Sequence, residues 1–163
     1  MKNLTWPNPE QLFVAQVLIK KVKLKCCGIK VKETLDEESR QSLMKYRLER
    51  ANETIEEARL LNENGHYNTA INRLYYACFY AVQALLLKNG ITATTHAGVK
   101  TMLGLHFISK GILEIEHGKT FNTLFEKRHS SDYEAFAYCD KAMVNELTPM
   151  AIAFIERIKE ILE

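Results

Sequence analysis

Residues 72–80 read Asn72-Arg73-Leu74-Tyr75-Tyr76-Ala77-Cys78-Phe79-Tyr80, and they decide the fold. They open a longer apolar span, in which Gln83 is the one strongly polar residue between Leu74 and Leu87. Ile71, Leu74, Tyr75, Cys78, Phe79, Val82, Leu85 and Leu86 recur at helical spacing and cover a broad face. A helix apolar over so much of its circumference has to be buried. The pattern therefore predicts a central helix over residues 67–88, stopped by Asn89-Gly90.

Working outward, Met44, Leu48, Ala51, Ile55 and Ala58 step by four and three, which predicts an amphipathic helix before the central one. It begins near Thr34-Leu35-Asp36-Glu37, where Thr34 and Glu37 have capping-box spacing, and ends at Asn64-Gly65. Downstream, Val99, Met102, Leu103 and Phe107 predict a shorter helix over 95–109. Phe121, Leu124, Phe125 and Arg128 predict a fourth over 118–129, with an arginine in line with the apolar stripe. Residues 130–139 read as an aromatic-rich connector. Leu147, Ala151, Phe154, Ile158 and Ile161 predict a last helix from Asp140 onward, kinked or restarted at Pro149. Five helical patterns with short connections give an all-α fold, an antiparallel up-and-down bundle of four to five helices.

The 163 residues are 47% hydrophobic and 26% charged, which excludes a wholly disordered or collagen-like chain. Seven glycines and three prolines argue against an all-β protein. The net charge of +2 is unevenly spread. Residues 1–33 hold seven lysines against Glu10 and Glu33, and the remainder has more acidic than basic residues. The body is thus not a basic nucleic-acid module by charge alone, and any such contact is local. Residues 1–33 read as a basic N-terminal extension, either loosely ordered or a short hairpin, and residues 34–163 as the helical domain. Cys26, Cys27, Cys78 and Cys139 show no Cys-x-x-Cys spacing and read as free thiols in a cytoplasmic protein. No stretch is long and apolar enough to span a membrane. His66, His96, His106, His117 and His129 lack metal-ligand spacing, so neither a metal nor a cofactor is expected.

Three stretches can carry chemistry. In 72–80, Arg73 reads either as half of a structural ion pair, with Asp132 or a glutamate of the first helix, or as a phosphate ligand beside a stacking Tyr76. In Thr94-Thr95-His96-Ala97-Gly98-Val99, Thr95 caps a helix and Gly98 allows another backbone to come close. In Arg128-His129-Ser130-Ser131-Asp132-Tyr133, a guanidinium that cannot lose its charge needs a carboxylate or a phosphate, so Arg128 either pairs with Asp132 or clamps a ligand.

Together these stretches resemble the HEPN family (higher eukaryote and prokaryote nucleotide-binding domains) over about residues 46–162. Arg73-Leu74-Tyr75-Tyr76-Ala77-Cys78-Phe79-Tyr80-Ala81 followed by Ala84-Leu85-Leu86 is similar to the family's R-x-Y-Y-A-x-F-x-A…A-L-L helix. Thr95-His96-Ala97-Gly98-Val99 resembles its T-H-x-G-V. Arg128 with Asp132-Tyr133 resembles the R-x-x-x-D-Y of one bacterial subgroup. The resemblance implies a homodimer and a small nucleotidyltransferase partner, with the HEPN protein in several such pairs a toxin. In the family's metal-independent ribonucleases, arginine and histidine of an R-x(4–6)-H motif act on RNA at the dimer seam. Here the positions that histidine would occupy hold Tyr133, Glu134 and Ala135.

The expected function is accordingly a nucleotide- or RNA-binding subunit. Its phosphate- and nucleotide-binding residues are Arg73, Tyr76, His96, Arg128, Asp132 and Tyr133. An endoribonuclease toxin, with Arg128 and Tyr133 or His96 as its catalytic pair, is the alternative. A structural dimerisation module is the third reading.

Overall fold

The computed structural model describes residues 36–133 and 139–163, with only the helical backbone for 129–133. The N-terminal extension, expected to be loosely ordered or a short hairpin, lies outside the described residues, as do Thr34 and residues 134–138.

Helix α1 spans Glu37–Glu63. Its cap is Asp36, whose carboxylate accepts the Ser39 N–H at 2.8 Å, with Glu37 and Glu38 in the first turn complementing the helix dipole. At its end Asn64 is followed by Gly65 at φ +79°. The Gly65 N–H reaches back to the Asn62 carbonyl and the His66 N–H to that of Leu61, which closes the last turn and reverses the chain. Helix α2 follows at once, Tyr67–Lys88, matching the bounds its pattern predicts. The same motif ends α2, with Gly90 at φ +66° and Ile91 donating to Leu86.

Helix α2 is the hub and packs against all the other helices. Ile71, Leu74, Tyr75, Cys78, Val82 and Leu85 are wholly buried on it. So are Ala70, Ala77, Ala81 and Ala84, which fall on one face. Among the described residues the α1–α2 contact is the most extensive.

Helix α3, His96–Leu103, runs into a π-helical turn at Gly104–Ile108, where a continuous α-helix is expected from sequence. The wider turn keeps Phe107 in line with Val99 and Leu103, and all three are buried. Helix α4 spans Ile115–Tyr133, longer at both ends than the predicted 118–129. Gly118 does not mark its start: a Cβ there would lie 3.2 Å from Ile108 Cδ1, so this glycine leaves room for the Ile108 side chain. Asp132 and Tyr133 are therefore on the helix backbone and not in a connector.

Helix α5, Lys141–Leu162, is capped by Asp140, which accepts the Met143 N–H at 2.8 Å. It continues through Pro149 without restarting. The Thr148 hydroxyl donates to the Val144 carbonyl in the turn before it. Phe154 of α5 stacks on Phe121 of α4 at 5.8 Å, joining these helices across the core. The described residues thus form the expected all-α bundle of five helices.

Candidate phosphate-binding site

Tyr76 is the centre of the arrangement. Arg73, one turn earlier on α2, places its guanidinium 5.0 Å from the Tyr76 ring. Arg128, from α4, places its own at 5.6 Å from that ring and 5.4 Å from the ring of Tyr75. His96, the first residue of α3, lies edge-on to Tyr76 at 5.8 Å. Four of the residues singled out from sequence, Arg73, Tyr76, His96 and Arg128, are thereby brought together from three helices. All four are half-buried.

The local folding explains this convergence. Thr95 caps α3 by accepting the Gly98 N–H at 3.0 Å, which sets His96 at the helix start. A Cβ on Gly98 would stand 2.9 Å from the Thr95 hydroxyl. Gly98 therefore makes room for the cap of its own helix, and not for a neighbouring backbone as its sequence context suggests. Phe121 and Leu124 bury the inner face of α4, and Arg128 emerges where that stripe reaches the edge of the core.

Two residues outside the sequence-derived set complete the site. Tyr75, wholly buried, places its hydroxyl 2.8 Å from His96 Nδ1. Its signal was a phenol on an apolar helix face, which needs a polar partner. Glu57 of α1 lies 3.7 Å from an Arg73 nitrogen and 3.5 Å from one of Arg50. Of the two ion-pair partners expected for Arg73, a first-helix glutamate is thus present. The side chains of Asp132 and Tyr133 lie outside the described residues, as does that of His129.

Burial and Arg128 set the protonation of the groups around Tyr76. Burial pushes the Tyr75 phenol well above its ordinary range, against the opposing pull of Arg128. The group therefore stays protonated. Burial, and then the positive charge of Arg128, hold His96 below its ordinary value. Cys78 is driven far up by burial and is an inert thiol. Among the described residues no three potential metal ligands cluster. No helix of these residues is long and apolar enough to cross a membrane. Two grooves between α1 and α5, lined in part by Asn52, Leu48 and Lys159, include none of the candidate residues.

Comparison with known proteins agrees with the architecture. The chain is 33% identical over 124 residues to a UPF0332 protein of Thermotoga maritima, covering 76% of this chain and 94% of the relative. It is 32% identical over 136 residues to "Putative toxin MJ0605" of Methanocaldococcus jannaschii, covering 82% and 98%. The fold matches the crystal structure of ST0689, an archaeal HEPN homologue, at a TM-score of 0.61 and 19% identity, over 74% of this chain and 98% of that one. The HEPN domain profile matches residues 44–161. The chain belongs to the HEPN domain family.

Proposed function

We propose that this chain is a nucleotide- or RNA-binding HEPN subunit that works as a homodimer with a small nucleotidyltransferase. In this reading it is the toxin half of a cytoplasmic toxin–antitoxin pair. The carrying observation is the meeting of Arg73 and Arg128 on the ring of Tyr76. Two guanidiniums supply fixed positive charge and planar donors for a phosphate, and an aromatic face between helices supports a base. The toxin assignment is supported by the relative in Methanocaldococcus jannaschii that carries that name. The test is titration of a short single-stranded RNA and of ATP into the purified chain. Binding that Arg128→Ala abolishes supports the site, and equal binding by both proteins rejects it.

A second reading, a metal-independent endoribonuclease, is favoured by one observation. His96 stands beside Arg128's partner rings and so supplies in space the histidine that the helix sequence after Arg128 lacks. In that reaction the ribose 2′-oxygen bonds to phosphorus and the bond to the 5′-oxygen breaks. One group takes the 2′-hydroxyl proton and another protonates the leaving oxygen. Incubation with total RNA and EDTA tests it, and RNA that stays intact at high protein concentration rejects it.

A further inference from the structure

We infer that Tyr75 fixes His96 in the tautomer that carries its proton on Nε2, and that this N–H is a third phosphate donor beside Arg73 and Arg128. The inference rests on the phosphate-binding reading and specifies how that site takes its ligand.

The Tyr75 phenol has nowhere else to turn among the described residues. Tyr75 is wholly buried, and its hydroxyl has one hydrogen-bond partner among the described residues, Nδ1 of His96 at 2.8 Å. If Nδ1 carried the imidazole proton, it would donate to the phenol oxygen. The phenol hydrogen would then be buried with no acceptor, at the full desolvation cost of a lost donor. If the phenol donates to Nδ1 instead, both groups are satisfied. The neutral ring must then hold its proton on Nε2. His96 is only half-buried, and Nε2 makes no hydrogen bond to a described residue, so it is the ring atom left for a ligand.

The consequence is chemical. The groups around Tyr76 are the Arg73 guanidinium at 5.0 Å, that of Arg128 at 5.6 Å and the His96 ring at 5.8 Å. With the proton on Nε2 all three offer hydrogens, and the carboxylate beside them, that of Glu57, is paired with Arg73. Such donors suit an oxyanion, and His96 in this form has no free ring lone pair with which to strip a 2′-hydroxyl. The tautomer thus favours a phosphate that is bound over one that is cleaved. The phosphate can be the terminal group of a nucleotide or an internal phosphodiester of RNA.

The test uses the whole chain with 15N-labelled histidine, and His96→Gln to assign the His96 signals. Long-range proton–nitrogen spectra at neutral pH read the tautomer directly. The expected result is a single Nε2–H form in the wild type and a mixture in Tyr75→Phe. An Nδ1–H form, or a mixture, in the wild type overturns the inference even where Tyr75→Phe fails to fold. AMP, and an RNA hexamer lacking terminal phosphates, are then added separately, and whichever shifts the His96 Nε2 signal identifies the source of the phosphate. His96→Ala should weaken that ligand about tenfold, while His96→Gln, which keeps an N–H donor, should retain most of the affinity. Equal losses in the two variants overturn the inference. Binding that needs Arg128 but leaves the Nε2 signal unmoved also overturns it, and leaves the proposed function standing. Failure of both ligands to bind removes the proposed function and the inference with it.

Discussion

The hydroxyl of Tyr75 and Nδ1 of His96, 2.8 Å apart, tie the middle of α2 to the first residue of α3. The bond lets a phenol occupy a wholly buried position on the central helix. Tyr75→Phe should keep the packing and lose the bond, destabilising the fold by about 1–2 kcal/mol in urea denaturation. Tyr75→Ala should cost about 3–5 kcal/mol, because it also leaves a cavity against Phe79 and Phe121.

Stability should depend on pH through His96. Burial and Arg128 lower its folded-state value below 6.5, so the unfolded chain takes up this proton first as pH falls. The fold should therefore lose stability as pH drops from 6.5 through the lower folded-state value, and the loss should level off beneath it. Thermal melts across that window should show a flatter profile for His96→Gln than for the wild type.

Glu57 holds negative charge between Arg50 and Arg73 at the edge of the site. Both members of the Glu57–Arg73 pair are partly exposed, so Glu57→Gln should change stability by less than about 0.5 kcal/mol. Without the carboxylate, Arg73 competes better for phosphate, and RNA affinity should rise about two- to threefold at low salt. Fluorescence anisotropy of a labelled RNA checks this, and an unchanged or reduced affinity would remove Glu57 from the site.

Ala77 is wholly buried on the alanine face of α2. Ala77→Leu should force the closely packed helices apart and cost about 1–3 kcal/mol in chemical denaturation. A neutral result would show that this face has room for a larger side chain.

The fold was legible because helical periodicity and glycine stops are local signals. Residues 71–86 could form only a buried helix, and Gly65 and Gly90 stand where the chain takes positive φ. The misreadings have local causes too. Gly118 looked like a boundary because a lone glycine does not say whether it ends a helix or admits a neighbour such as Ile108. Of the site, Arg73, Tyr76, His96 and Arg128 were each visible, since charge and aromatics interrupt apolar stripes. Their meeting on one ring was not, because it depends on how α2, α3 and α4 pack. Tyr75 was hidden by its own burial: its spacing marks it as core, and only the partner of its hydroxyl reveals a second role.

The proposed site requires Arg73 and Arg128 to hold one phosphate together. The salt dependence of RNA binding tests it most directly, measured for the wild type, each arginine-to-alanine variant and the double variant. Each single variant should lose affinity, and its slope of log affinity against log salt should fall by about one. The two losses should also be non-additive in the double variant. Unchanged affinity and slope in Arg128→Ala would contradict it.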